Sequence, residues 1–284
     1  MRSRPRRVLV VVALVAIAAF GNAHTSAADE PDDSGPFARG FGYLGAFFVT
    51  QTRTELNLFS NDLPLGARLN LEEDMGLRDS FAVPRVTLGW RFGERHILSG
   101  NYYDLSREVV RRTERTIELP GGIEYPVNTE LRGKFTTRVT KLQYTYLFHR
   151  DEKVSLGIGG GFYVGRLGLD LSVTDSLAPT PGLEDFDETI TAPLPVFGFR
   201  LTYKITRKLG FLASTDWFLL NYNDKYKGVL SDTQLYAAHR TFKHVGFAGG
   251  LNIQTFNVEF EDDALLWQLD SGMVGFLGAV TFYF

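Results

Sequence analysis

The sequence contains no cysteine in its 284 residues. That absence excludes a disulfide scaffold, a cysteine-ligated metal site, a cysteine nucleophile and a lipidated amino-terminal cysteine. A marked excess of positive charge is missing as well, because the formal net charge is −3 at pH 7. Domains that bind nucleic acid are usually strongly basic, so nucleic acid is not an expected partner. No motif in the chain indicates a cofactor or a metal site.

Long apolar runs are missing after residue 28. Before that point, Val8 to Phe20 is an uncharged, almost wholly apolar run of 13 residues that follows four arginines. This arrangement predicts a secretory signal peptide over 1–28, followed by a periplasmic lead over 29–37. A spanning helix needs about 20 apolar residues, so an uncleaved membrane anchor is the weaker alternative. The cleavage site is expected at one of three small residues, Ala23, Ala27 or Ala28.

Aromatic residues and glycine are plentiful, at 13% of the chain and 29 residues respectively, and this combination favours β-structure. From residue 37 onward, apolar and polar residues alternate. Val86, Leu88 and Trp90 share one parity, for example, while Arg85 and Arg91 share the other. A strand of this kind has one apolar and one polar face, which suits a secreted soluble sheet or a membrane barrel.

Three observations favour the membrane barrel. Short polar breaks alternate with long ones, as the short turns and long loops of outer-membrane barrels do. Aromatic residues gather beside the short breaks, where an interfacial girdle lies. The chain ends in a strand that resembles the carboxy-terminal assembly signature of bacterial outer-membrane proteins, with Val280, Phe282 and Phe284 on one parity. The short breaks lie at 93–95, 149–152 and 206–208, and the long ones at 58–79, 119–128, 175–188 and 228–238.

The sequence therefore predicts an all-β fold, a transmembrane antiparallel up-and-down barrel over 38–284. Ten strands are expected, with eight or twelve as open alternatives. Residues 270–272 would form the last and shortest outer loop. In the strands expected at 129–148 and 153–174, the apolar residues change from one parity to the other midway. This indicates either a bulge in each strand or outer halves that extend beyond the lipid. The ten strands are placed at about 39–57, 80–92, 95–118, 129–148, 153–174, 189–205, 209–227, 239–254, 256–268 and 271–284.

The polar parity of these strands is expected to face the lumen. Ion pairs and hydrogen bonds between such residues would close a small barrel, whereas a permeation path or a substrate site is the functional alternative. Counting from the short breaks places Arg200 nearly opposite Ser214 and diagonal to Asp216, close enough to pair with it. The same counting places Arg85 near Tyr102 and Asp104. The expected lumen-facing residues are Arg85, Arg91, Asp104, Glu108, Lys141, Arg200, Lys204, Asp216, His244 and Glu259.

Glycine recurs on one side of the predicted strand over 153–174. Gly157, Gly159, Gly161 and Gly165 are expected to leave room in the lumen for large neighbouring side chains.

Barrel enzymes carry local motifs that this sequence does not contain. Omptin-like proteases use an Asp followed two residues later by a His (Asp-x-His) together with a paired Asp site, and lipid A deacylases use a closely spaced His and Ser in one strand (His-x-Ser). His244, expected to point inward on the strand after that of Asp216, is the most suggestive residue, although a lone inward histidine is more often structural. The sequence therefore predicts a non-enzymatic protein with a structural, surface-interaction or narrow-conduit role. A barrel enzyme acting on lipid or peptide is the alternative.

Several stretches resemble uncharacterised outer-membrane β-barrel proteins of proteobacteria: 70–77, the turn at 90–96, Ala192–Pro195 and the terminal Phe284. The resemblance implies insertion through the barrel-assembly machinery with periplasmic chaperones, and it implies no catalytic residues. A monomer in the bacterial outer membrane is expected.

Charged residues near the predicted outer ends suggest contacts with lipid. Basic side chains there are expected to meet lipopolysaccharide phosphates, and Glu72, Glu73 and Asp74 are expected to form a solvated loop tip. These basic residues are Arg111, Arg112, Arg115, Lys225, Lys227, Arg240 and Lys243.

Overall fold

The computed structural model describes residues 38–60, 66–73, 76–112, 116–119, 123–125, 127, 130–173, 186–222, 226–261 and 265–284. The predicted signal peptide and the predicted lead over 29–37 lie outside these residues. In the part of the chain that is described, no helix is long and apolar enough to span a membrane.

Alternating apolar and polar residues form strands throughout the described chain. The strands are β1 (Gly40–Ser60), β2 (Gly66–Asn70), β3 (Phe81–Phe92), β4 (His96–Arg112), β5 (Ile117–Leu119), β6 (Ile123–Tyr125), β7 (Glu130–Arg150), β8 (Val154–Val173), β9 (Phe186–Lys204), β10 (Leu209–Tyr222), β11 (Tyr226–His239), β12 (Val245–Glu261) and β13 (Leu265–Tyr283).

Ten of these strands close into an antiparallel barrel, which confirms the predicted fold class. Neighbouring strands pair in chain order, and β13 returns to pair with β1 from Phe41 opposite Tyr283 to Ser60 opposite Leu265. This closure leaves no open sheet edge around the barrel. Outside the ten, β2 pairs with the end of β1, and β5 pairs with β6 in a separate two-stranded sheet.

The predicted strand positions are wrong near the carboxy terminus, although their number is right. The expected long loop at 228–238 is part of β11. The two strands expected at 239–254 and 256–268 correspond mainly to one strand, β12. Residues 270–272 lie inside β13 and form no loop. The polar run from Ser231 to Gln234 resembles a loop in sequence because the inward face of β11 is polar.

The two ends of the barrel differ. The short turns at 93–95, 151–153, 205–208 and 240–244 lie at one end with the start of β1 and the end of β13, and this end is called the lower end below. At the opposite end, called the upper end, β1, β4 and β8 end and β3, β7 and β9 begin. Around the lower half, large apolar side chains point outward and are exposed, as a lipid-covered belt requires. They include Leu44, Phe48, Trp90, Phe92, Leu142, Tyr144, Ile158, Phe162, Phe247 and Phe276.

The switch of apolar parity in β7 and β8 does not come from a bulge at the middle of either strand. The register between them shifts only between Leu147 and His149, beside the lower turn. Below the switch Leu142 points outward, whereas above it Phe135 and Val139 are buried inside the barrel. The upper half of β7 therefore has a polar outer face and an apolar inner face, and the alternative of strands that extend beyond the belt is the correct one.

Candidate functional site

The lumen is filled by three layers of inward side chains. The lower layer is apolar and aromatic: Phe41, Tyr43, Ile97, Leu147 and Tyr283. The upper layer is also apolar: Phe47, Val49, Val83, Tyr103, Leu105, Val139, Tyr163, Leu194, Val196, Phe218, Leu230 and Met273. Between them lies a polar layer, called the paired layer below, of Arg85, Asn101, Lys141, Gln143, Asp216, Asp232, Gln234, Asn252 and Gln254.

One ion pair of the paired layer crosses the barrel. Arg85 on β3 donates from Nη2 to Asp232 Oδ2 on β11 at 3.1 Å and from Nη1 to Asn252 Oδ1 at 3.0 Å. The side chains of both charged residues are almost completely buried, at 8% and 0% exposed. Asp232 also accepts hydrogen bonds from Asn252 Nδ2 at 2.7 Å and Gln234 Nε2 at 3.1 Å. A buried charge needs a partner and further hydrogen bonds to offset its desolvation, and Asp232 has both.

A second ion pair joins β7 to β10. Lys141 Nζ donates to Asp216 Oδ2 at 2.6 Å, and Gln143 Nε2 donates to Asp216 Oδ1 at 2.5 Å. The Asp216 side chain is 3% exposed, so its charge is compensated inside the barrel. Gly198 makes room for this carboxylate, because a Cβ at that position would lie 2.1 Å from Asp216 Oδ1.

Tyrosine hydroxyls connect the paired layer to the apolar layer above it. Tyr103 and Tyr163 share a hydrogen bond of 2.7 Å between their hydroxyl oxygens, and Gln254 Nε2 donates to both, at 2.6 and 2.8 Å. The Arg85 guanidinium lies over the Tyr103 ring, 5.1 Å from its centroid. Each buried polar group named here therefore has a partner, which is the condition for a stable polar network.

The upper mouth of the barrel carries another buried contact. Arg107 on β4 donates from Nη1 to Glu72 Oε1 at 2.5 Å and from Nη2 to Thr54 Oγ1 at 2.9 Å. Leu71 and Leu77 on either side of Glu72 are buried as well. The expectation of a solvated tip is therefore wrong for Glu72, because its carboxylate satisfies an arginine that faces inward.

A cavity of about 80 Å³ remains beside the paired layer. Arg85, Lys141, Arg200 and Asp216 are among the residues that line it. Arg200 lies with its guanidinium carbon 5.5 Å from the centre of the Phe41 ring. The sequence places Arg200 opposite Ser214, and the register agrees, but Asp216 pairs with Lys141 instead of Arg200.

Six of the residues expected to face the lumen lie on the inward face of the barrel. Arg85, Arg91, Lys141 and Asp216 are buried on the inward face, and Arg200 and Lys204 share the inward parity of β9 with partial burial.

At the carboxy terminus, Val280 and Phe282 lie on the outward parity of β13. The backbone of Phe284 exchanges hydrogen bonds with Gly40, and its ring lies 5.9 Å from that of Trp90.

The expectation that Asp104, Glu108 and Glu259 face the lumen is wrong, because they lie on the outward parity of their strands. They make ion pairs on the outer surface: Asp104 with Arg138 at 2.9 Å, Glu108 with Lys134 at 3.0 Å, and Glu259 with Lys227 at 3.4 Å. Above the apolar belt the outer face is itself charged, so a charged residue there gives no information about which way it points.

The expectation that His244 points into the lumen is also wrong. His244 lies in the turn at 240–244, where its Nδ1 is 3.0 Å from the carbonyl oxygen of Tyr283, and it does not point into the lumen beside Asp216. Arg240 and Lys243 lie in the same lower turn, so the expectation that they mark outer strand ends is wrong. His96, His149 and His239, the other histidines within the described ranges, also lie at the lower end.

Asp232 and Arg107 are the charged lumen residues that sequence reasoning missed. Asp232 fell in a stretch interpreted as a loop. It carried no clear signal, because Ser231 and Thr233 on the opposite parity are polar too and the alternation of apolar and polar residues is lost over 231–234. Arg107 carried no signal of its own, since Glu108 beside it offered an equally plausible inward charge.

Comparison with known proteins supports the fold alone. No family model matches the sequence, and no curated protein matches it. The outer membrane protease OmpT from Escherichia coli superposes with a TM-score of 0.54 at 9% identity, covering 92% of this chain and 100% of that one. The transport unit of the autotransporter AIDA-I from Escherichia coli gives a TM-score of 0.39 at 10% identity, covering 100% of both chains. The chain therefore has the fold of an outer-membrane β-barrel, with a sequence far from that of these proteins.

Proposed function

We propose that this protein is a non-enzymatic barrel of the bacterial outer membrane whose lumen is closed, and which acts as a membrane-anchored scaffold for its upper segments. The observation that carries the proposal is the paired layer, in which two buried ion pairs cross the lumen between two apolar layers. Such a layer opposes a continuous water path, because separating either pair would leave an uncompensated charge inside the barrel. This favours a structural or surface-interaction role over a conduit.

The outer surface supports the membrane location. The exposed apolar belt would be unfavourable in water. A contiguous apolar patch that surrounds half of a protein marks an interaction surface. Above the belt the outer face is polar and paired, as the Asp104–Arg138 contact illustrates. Outer-membrane lipids, including lipopolysaccharide, are the partners that such a surface fits. The terminal strand with Phe282 and Phe284 fits delivery by periplasmic chaperones to the barrel-assembly machinery.

The upper end supports the scaffold role. There β2 pairs with the end of β1, and β5, which pairs with β6, contacts β2 on the side opposite the short turns. The upper halves of β4 and β7 also rise above the belt with charged outer faces. Segments held on a rigid barrel at that height can meet partners outside the cell, which is where binding loops are usually found.

The arrangement of histidines does not favour the enzyme alternative. The described histidines lie at the lower end, and Asp216, the carboxylate considered as a partner for His244, is bound by Lys141 and Gln143. A general base must lie within hydrogen-bond reach of the group it activates. No described histidine is placed in this way beside the lumen cavity.

Two assays on the refolded mature chain test this function. In the first, liposomes that contain the protein are diluted into small sugars, and we expect swelling no faster than in protein-free liposomes. In the second, phospholipase, lipid A deacylase and peptidase substrates are supplied to the same liposomes, and we expect no turnover. Solute-dependent swelling would contradict the closed lumen, and turnover that survives repurification would establish the enzyme alternative.

A further inference from the structure

We propose that the cavity beside the paired layer is a binding site for a small carboxylate, with Arg200 as the residue that holds it. This inference goes beyond the scaffold role, because a closed barrel needs no ligand. It rests on the charges that line the cavity, on the partners of Arg200 and on the shape of the wall beside it.

The charges around the cavity do not cancel. Arg85 is matched by Asp232 and Lys141 by Asp216, each in direct contact. Arg200 has the Phe41 ring beneath it and Tyr43 nearby, but no carboxylate contacts its guanidinium among the residues that the structure describes. A partly buried cation without a counter-ion is unfavourable, so an anion from solution would stabilise this position.

The donors around the cavity suit a carboxylate. Guanidinium N–H groups form a planar fork that matches the two oxygens of a carboxylate, and such bidentate pairs are stronger and more directional than contacts to a spherical ion. Thr145 and Ser214 also line the cavity, and their hydroxyls can donate to the ligand oxygens. Leu277 and Ala279 also line the cavity and offer an apolar surface to a short carbon chain.

The size and position of the cavity limit the ligand. At about 80 Å³ the cavity exceeds several-fold the roughly 10–15 Å³ that one enclosed water needs, so it has room for an acetate-sized ion. The wall beside Arg200 includes glycine, because Gly198, its neighbour on the inward face of β9, and Gly45 both line the cavity. Arg200 lies only a few residues from the turn at 205–208, so the ligand would reach the cavity from the lower end by displacing side chains of the lower layer, and occupancy does not require an open channel.

Acetate titration of the refolded mature chain in detergent tests the proposal. The midpoint of heat-induced unfolding is measured against sodium acetate, with sodium chloride keeping the ionic strength constant. A ligand that binds the folded state raises the midpoint as its concentration rises. We expect a saturable increase with acetate in the wild type and an apparent Kd at least about tenfold weaker in Arg200→Gln, because the bidentate contact is lost. Lys208→Gln, which removes an exposed cation from the adjacent turn, is the matched control and is expected to keep the wild-type Kd.

Further outcomes separate the proposal from its alternatives. Arg200→Lys keeps the charge and the long side chain, so it serves as the test if Arg200→Gln does not fold, and its Kd is expected to be several-fold weaker because an ammonium lacks the planar fork. Line broadening of ¹³C-labelled acetate by the wild type, reversed by excess formate, would report binding directly. An unchanged Kd in both Arg200 variants would overturn the site. An equal midpoint increase with chloride alone would overturn the carboxylate as its ligand.

Discussion

Replacing Asp232 with alanine removes the acceptor at the centre of the paired layer. The Asp232 side chain is 0% exposed and accepts hydrogen bonds from Arg85, Asn252 and Gln234. The variant leaves the Arg85 guanidinium buried without its counter-ion, and breaking a buried pair in this way costs about 3–5 kcal/mol. We therefore expect the free energy of unfolding to fall by about that amount. Urea titration of the barrel in lipid vesicles, followed by tryptophan fluorescence, measures the change.

The Asp104–Arg138 pair on the outer surface is the matched control. Its side chains are 36% and 44% exposed, and exposed pairs contribute about 0–1 kcal/mol, so Asp104→Ala is expected to have little effect. The double variant Arg85→Met with Asp232→Leu removes both charges and is expected to recover most of the loss, because apolar replacements of a buried pair are often neutral. If Asp232→Ala costs no more than Asp104→Ala, the lumen is hydrated and the reasoning is wrong.

Two further predictions concern the barrel wall and a lower turn. Gly198→Ala places a Cβ against Asp216 and is expected to destabilise the barrel, whereas Gly272→Ala, which meets nothing within 4 Å, is expected to be tolerated; equal urea midpoints for the two variants would argue against the close packing. Backbone N–H groups of Val154 and Lys153 lower the pKa of Asp151, so its contribution to stability is present above the ordinary pKa of 3.8 and is lost only as pH falls through the lowered folded value. Asp151→Ala should therefore be less stable than the wild type at neutral pH, with the difference disappearing in strong acid, as a pH series of unfolding midpoints would show.

The period-two alternation was sufficient to predict the barrel. The number of strands came out right because the strand missed at 226–239 was offset by the division of β12 into two expected strands. The alternation reports which residues share a face, and a closed sheet with short lower turns follows from that pattern and the turn spacing. The same pattern failed at 226–239, because a polar inward face makes a strand resemble a loop. Local counting also gave the register of Arg200 against Ser214 correctly, since the two residues flank one short turn.

The contacts across the lumen could not be predicted in this way. Arg85 and Asp232 lie 147 positions apart in sequence on strands that do not pair with each other, so their contact depends on the curvature of the whole barrel. Above the apolar belt, the sequence also did not show whether a charged side chain points inward or outward, because charged residues occur on both sides of the barrel wall. For this reason Glu108 was assigned inward and Arg107 was overlooked, although Arg107 is the one that is buried.

Single-channel conductance in a planar lipid bilayer tests the closed lumen most directly. The mature chain, shown to be folded by its heat-modifiable migration on gels, is added to the bilayer beside the Asp232→Ala variant. If the lumen is closed, the wild type inserts and remains silent, and loss of the buried pair gives intermittent conductance as water enters the paired layer. Stable, ion-selective conductance steps from the wild type would contradict a closed lumen and would identify the barrel as a conduit.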